Sequence, residues 1–242
     1  VRCVAIISPG DMGHAIGRVV RESGFRVITP IQDRSERTRD LARQAKLEFV
    51  DGLIDVARQA DLILSILVPS QAEAAATSLA RALRETQRHP WVADCNAVSP
   101  ECVRRIGETI EESGGRFVDA AIIGLPPSTA MVPRLYVAGP HAKHMACLRS
   151  DQLEVVEVAG PIGQASGIKM CYAAVTKGTF ALHFAALMAA EKLGIYDGLC
   201  DELEHSQSGT YARMQQQLPR LPAKADRWVG EMEYIAETLR QA

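Results

Sequence analysis

For roughly its first 160 residues the chain alternates short apolar runs with amphipathic stretches, and then the alternation stops. RCVAII (2–7), FRVITPI (25–31), DLILSILV (61–68), WVADC (91–95), RFVDA (116–120), RLYVA (134–138) and LEVVEV (153–158) are apolar segments flanked by Gly, Pro, Ser or charged residues. That is the pattern of strands buried on both faces. Between them, 12–23 places Ile16, Val19 and Val20 on one helical face before Gly24. Segment 35–46 opens on a capping serine, 71–86 is rich in alanine, and 99–113 has Pro100 in its first turn and Gly114-Gly115 beyond its end. Each of these reads as a helix. The alternation predicts an α/β fold, a doubly wound and mainly parallel sheet with helices on both faces.

From Ile162 the pattern is helical only. Residues 166–193 lack proline and, past Gly167 at the very start, contain one interior glycine, Gly178, which predicts a single helix about 40 Å long. A helix of that length outruns a small sheet, so its apolar surface needs the later helices, expected at 197–217 and 223–240, or a second subunit. The expected organisation is a domain over 1–160 and an all-α domain over 161–242, divided near Ala159-Gly160-Pro161.

Composition narrows the function. The net charge is -2 and aromatic residues make up 5% of the 242 positions, which offers no basic face for nucleic acid; a small-molecule substrate or soluble cofactor fits better. The six cysteines are scattered without a CxxC pair, as in reduced cytoplasmic proteins. No apolar run reads as a membrane span and no leader precedes the first strand, so neither a membrane nor a secretory location is expected. His141 and His144 lack a third ligand, and no metal is expected.

The chemistry is concentrated in ISPGDMGHAIG (7–17). A dinucleotide-binding turn of the Rossmann type carries GxGxxG between its first strand and first helix. Here Ser8 occupies the first glycine position, Gly10 the second and Gly13 the third. Gly10 would let the backbone approach a pyrophosphate, and Gly13 would let helix and strand pack closely. Asp33 follows Gly13 by twenty positions at the end of the second strand, where a ribose hydroxyl would be held. Arg34, Ser35, Arg37 and Thr38 beside it supply cations and hydroxyls for a 2'-phosphate, which favours NADP with NAD as the alternative. The same DRSERTRD segment also reads as a capped, solvated helix start.

Together with VPS (68–70), DCNAVSP (94–100), VDAAIIG (118–124) and GPIGQASGIKMCYAAVTKG (160–178), the ISPGDMG turn resembles the β-hydroxyacid dehydrogenase family, the relatives of 6-phosphogluconate and 3-hydroxyisobutyrate dehydrogenases, over essentially the whole chain. IKMCYAAVTKG and LPRLPAKADRWVGEM are most similar to a phosphogluconate-dehydrogenase-like subgroup whose helical C-terminal domain has no well-defined substrate. The resemblance implies a Rossmann domain followed by an all-α domain with one long helix, which forms a homodimer. It places cofactor contacts at Ser8, Pro9, Gly10, Asp11, Met12, Gly13, Leu67, Val68, Pro69 and Asn96. It makes Lys169 the general acid and base, with Tyr172 and Asn96 as further catalytic candidates, and it puts substrate against Ser99, Ile123, Gly124, Leu125, Lys169 and Tyr172.

Three departures from the family pattern imply a more apolar pocket. Tyr172 and Ala173 replace a pair of asparagines, Ile123-Gly124-Leu125 replaces a serine–glycine loop, and Asn96-Ala97 replaces a serine–threonine pair. The implied reaction moves a hydride between nicotinamide and an alcohol or carbonyl carbon. Imine reduction is the related alternative, against which retention of Lys169 argues. A dinucleotide-binding sensor without catalysis is the alternative of another class.

Overall fold

The computed structural model describes residues 1–242 apart from Asp33, Thr129, Ala223 and Lys224 and the side chains of Asp226 and Arg227. Two compact units result, Val1–Lys169 and Met170–Ala242.

In the first unit, β1 (Cys3–Ile7) leads into α1 (Asp11–Glu22), β2 (Arg26–Pro30) into α2 (Glu36–Gln44), and β3 (Glu48–Val50) into α3 (Leu53–Gln59). Next, β4 (Leu62–Ser65) leads into α4 (Ala72–Thr86) and β5 (Trp91–Asp94) into α5 (Pro100–Glu111), and β6 (Arg116–Ile123), β7 (Arg134–Ala138) and β8 (Glu154–Glu157) complete the series. The described residues form one eight-stranded sheet in the order β3-β2-β1-β4-β5-β6-β7-β8. All neighbours run parallel except β6 and β7, which pair antiparallel. The doubly wound, mainly parallel sheet expected from the sequence is therefore present, with one reversal of direction between β6 and β7.

Burial explains why the strands read as continuous apolar runs. Val4, Ala5 and Ile6 of β1 and Leu62 and Ile63 of β4 are fully buried, because helices cover both faces. Helix α1 presents Ile16, Val19 and Val20 to that core. β3 and α3 escaped the sequence pattern: three and seven residues are too few to show a period. β6 also runs three residues further than expected, to Ile123.

The order β3-β2-β1-β4-β5-β6 reverses direction between β1 and β4. Ligands of open α/β sheets bind beyond the carboxyl ends of the strands at such a reversal. The segments after β1, β2, β4, β5 and β6 all lie on that edge.

A further helix, α6 (Gln164–Ala173), begins in the first unit. The second unit continues through a π-helical turn, Ala174–Gly178, into α7 (Thr179–Leu193), which stops at Gly194 with φ 70. The expected single long helix is thus observed as Gln164–Leu193, with a π turn inside it. The helix expected over 197–217 is two, α8 (Tyr196–Ser206) and α9 (Ser208–Gln217), which break at Gln207. The last is α10 (Ala225–Gln241). Inside this unit Lys177 Nζ donates to Glu231 Oε1 at 2.5 Å and lies 5.4 Å from the centre of the Trp228 ring, which stacks on Phe180. By length and composition Gln164–Leu193 is apolar enough to cross a membrane, with a mean hydropathy of 1.3 in its most apolar stretch. The expectation that no segment reaches that length is corrected on this point.

Candidate active site

The turn from β1 into α1 is built around its three motif positions. Ser8 adopts φ 67, a left-handed conformation that costs a residue with a Cβ about 1–2 kcal/mol and glycine almost nothing. The first motif position therefore imposes a glycine-like backbone even with serine in it. Gly10 caps α1 with no side-chain hydrogen bond, and a Cβ built on it meets nothing within 4 Å. No side chain therefore caps the start of α1, and the first-turn N–H groups of a helix are the kind of donors that bind phosphate. Gly13 is the opposite case. A Cβ there would stand 2.5 Å from the Ser8 carbonyl oxygen and 3.3 Å from Ile6 Cγ2, so only glycine lets α1 abut the turn. Pro9 and Gly13 are buried, whereas Asp11 and Met12 are half-buried. His14 Nδ1 lies 2.7 Å from the Gly10 carbonyl oxygen. This turn, free of a capping side chain at Gly10 and closely packed at Gly13, fits a dinucleotide pyrophosphate.

Beyond β2, Asp33 lies outside the described residues. Ser35 caps α2, its hydroxyl accepting from Thr38 N–H at 3.3 Å and lying 3.0 Å from Thr38 Oγ1. The helix-start reading of this segment is therefore correct for these two hydroxyls. Arg37 reaches back to Asp11 at 2.5 Å, both side chains being exposed. Its guanidinium offsets the one carboxylate in the first turn of α1, which would otherwise repel a phosphate.

The ends of β4 and β5 are tied by Asn96. Its Oδ1 accepts from Leu67 N–H at 2.5 Å, and its Nδ2 donates to Ser65 Oγ at 3.1 Å and Asp94 Oδ2 at 2.8 Å. Asn96 is 2% exposed, so its amide shapes the floor of the sheet edge and sets where Leu67, Val68 and Pro69 leave β4. Val68 is exposed and Pro69 opens a single 3₁₀ turn. Asp94 is buried, and burial pushes its carboxyl up to about 6; the charge of Asp119, its register partner on β6, acts in the same direction, while hydrogen bonds from Asn96 and Ser65 oppose it. Ser99 is also buried, its hydroxyl capping α5 by accepting from Cys102 N–H at 3.1 Å.

At the end of β6, Lys169 is half-buried and its Nζ donates to the Ile122 carbonyl oxygen at 2.9 Å. Ile123 is half-buried, Gly124 turns the chain at φ 129 with its Cβ position 3.0 Å from Pro133 Cα, and Leu125 is exposed. Tyr172, three residues after Lys169 on α6, is half exposed. Asp119 is fully buried and accepts from the N–H groups of Gly163 (2.8 Å), Ala165 (2.9 Å) and Ser166 (3.2 Å) and from the Ser166 hydroxyl (2.6 Å). Burial pushes its carboxyl above the usual range, and these donors pull the other way.

Ser65, Asp94, Asp119, Ile122 and Ser166 were not singled out in the sequence. A signal was available for two of them: WVAD and FVDA each place a carboxylate inside an otherwise apolar strand, and a buried charge requires partners. Among the described residues no group of three or more His, Cys, Asp or Glu is placed to hold a metal ion.

A sheet of this order, with an uncapped glycine turn at its reversal, defines a dinucleotide-binding α/β protein. Residues 3–148 match the NAD binding domain of 6-phosphogluconate dehydrogenase, and residues 190–242 match DUF1932, a domain of unknown function. The chain belongs to the β-hydroxyacid dehydrogenase family, and its sheet domain binds a nicotinamide dinucleotide. Among solved structures it is similar to MTH1747, a conserved protein of unknown function described as resembling 3-hydroxyacid dehydrogenases, with 27% identity over 99% of this chain and 90% of that one and a TM-score of 0.72. It shares its fold with 3-hydroxyisobutyrate dehydrogenase from Salmonella typhimurium (15% identity, 100% and 88% of the two chains, TM-score 0.73). It also shares it with an imine reductase from Streptomyces aurantiacus (17% identity, 93% and 78%, TM-score 0.64). These findings make the protein an NAD(P)-dependent oxidoreductase in general class.

Proposed function

We propose that the protein reduces or oxidises a small metabolite at a carbonyl or alcohol carbon, with NADP as cofactor and Lys169 as general acid and base. The observation that carries this reading is the position of Lys169: its ammonium is held at the carboxyl end of β6, on the same sheet edge as the Gly10–Gly13 cradle. Bound there, a nicotinamide dinucleotide supplies the two-electron chemistry. The residues of the chain do the rest. The α1 N-terminus and Gly10 would hold the pyrophosphate, and Arg34, just before α2, and Arg37, in its first turn, would supply the positive charge for the adenosine phosphate of NADP, Arg37 exchanging its Asp11 partner for it. Lys169 gives a proton to the reacting oxygen as a carbonyl is reduced and takes it back in the reverse direction. Ile123 and Leu125 favour a substrate less polar than a hydroxycarboxylate. Imine reduction is the second reading, favoured by the shared fold with an imine reductase and disfavoured by retention of the lysine.

The partner expected for the helical unit is a second copy. Val175, Leu182 and Leu193 are 71%, 68% and 71% exposed, which leaves an apolar face for a facing subunit. A lipid environment suits this helix less well, because Lys177 sits halfway along it, charged and paired with Glu231 of α10.

The test is titration with NADPH and NADH by fluorescence, then NADPH oxidation over small aldehydes, β-keto acids and cyclic imines. Turnover confined to imines and indifferent to Lys169→Ala would replace the first reading with the second.

A further inference from the structure

The N-terminus of α6 is capped from another part of the chain. A helix start leaves several backbone N–H groups without helical partners. Here Gly163, Ala165 and Ser166 give theirs to Asp119, and Gln164 gives its own to the Pro161 carbonyl oxygen at 3.4 Å. Pro161, Ile162 and Gly163, which precede the helix, contain no capping side chain. The cap is instead a carboxylate 44 to 47 residues earlier in sequence, set in the middle of a buried strand where desolvation works against it. A capping box would have served the helix alone. A cap from β6 does something more: it fixes the helix to that strand.

The same strand holds the lysine. Ile122 lies three residues after Asp119 on β6, as Lys169 lies three residues after Ser166 on α6, and the Ile122 carbonyl oxygen accepts from Lys169 Nζ. β5 stops at Asp94, opposite Asp119, so Ile122 lies where β6 pairs only with β7. Strand and helix are therefore joined at two points, the buried carboxylate and the lysine head.

We propose that Asp119, with Ser166, is a positioning residue that sets the place of the Lys169 ammonium at the end of β6. This rests on the reading of Lys169 as proton donor. A helix-start carboxylate in the neighbouring strand determines how far α6 lies along β6, and that in turn determines where the lysine head meets the sheet edge.

The experiment reads the lysine without needing a substrate. The full-length protein, with and without NADPH, is pulsed with acetic anhydride, and acylation of Lys169 is compared with that of exposed Lys46 by mass spectrometry. Asp119→Asn, Asp119→Ala and Ser166→Ala are run beside wild type, with NADPH affinity and thermal stability measured on each. The expected result is a rise of about fivefold in the Lys169:Lys46 ratio for Asp119→Ala, the shift in local opening that losing such a cap produces. Asp119→Asn, which keeps one acceptor oxygen, is expected to fall between it and wild type, with NADPH affinity unchanged throughout. Loss of stability with the wild-type labelling ratio would make Asp119 a structural cap only and overturn the proposal. If Asp119→Ala does not fold, Asp119→Asn and Ser166→Ala decide the matter by the same ratio. An altered ratio together with undiminished turnover in Lys169→Ala would uphold the positioning and overturn the proton-donor reading instead.

Discussion

Replacing Gly13 by alanine separates the two functions of the β1–α1 turn. The added methyl would sit 2.5 Å from a backbone oxygen, that of Ser8, and 3.3 Å from Ile6 Cγ2. Neither neighbour can yield cheaply: the first belongs to a residue already at positive φ, and the second is a fully buried side chain in β1. Restoring ordinary contact requires α1 to withdraw by about 0.9 Å, and overpacking of this kind costs about 1–3 kcal/mol. Alanine returns about 1 kcal/mol in helix propensity. The net loss is then about 1 kcal/mol, a fall of about 3 °C in Tm for a chain of this size. The larger effect is expected on binding, because the withdrawn helix carries its N–H groups away from the phosphate, and NADPH affinity should fall at least about tenfold. Gly10→Ala is the control, since its methyl enters empty space at φ -72. Its stability should fall by no more than about 1 kcal/mol, the loss of a glycine cap without any clash, while its affinity falls because the methyl stands where the pyrophosphate would approach. Thermal melts and fluorescence titrations of both variants make the comparison. A Gly13→Ala protein with wild-type Tm and NADPH affinity within twofold would refute the packing argument.

Three further outcomes are expected. Asp94, with its carboxyl raised to about 6, takes up a proton in the folded state before it does so unfolded. Its charge therefore destabilises the fold above about pH 6, and the protein recovers on the order of 2–3 kcal/mol as pH falls towards 4. Measured as the Tm difference between wild type and Asp94→Asn, this appears as a gain for wild type from pH 7 down to pH 4, and a flat difference would show that the carboxyl is not raised. Arg34→Ala combined with Arg37→Ala should lower the preference for NADPH over NADH at least about tenfold, and an unchanged ratio in paired titrations would reject the NADP assignment. Leu182→Glu should shift the protein to a monomer in light scattering, whereas a monomeric wild type would remove the case for a second copy.

How much of this was legible in the sequence differs by element. The buried strands and amphipathic helices declared themselves because burial on two faces leaves continuous apolar runs and burial on one leaves a helical period. β3 and α3 did not, being shorter than either pattern needs. The cradle was readable because its constraints are local: Gly13 is demanded by a clash with the residue five before it, and position 8 takes a glycine-like backbone angle from its own turn even with serine there. Asn96 and Ser99 were legible as polar residues at a strand end, but not as groups whose hydrogen bonds are satisfied inside the protein. Asp119 was least legible, since a cap supplied from 44 residues away leaves no spacing to recognise. Its only trace was a carboxylate among apolar neighbours in FVDAAII.

The most direct test of an oxidoreductase site on this sheet edge is NADPH oxidation by wild type and Lys169→Ala against the same carbonyl panel, with NADPH affinity measured on both. Intact binding with turnover reduced by about 10²–10⁴ is the predicted result. Equal turnover in the two proteins, or no binding of either dinucleotide by wild type, would contradict it.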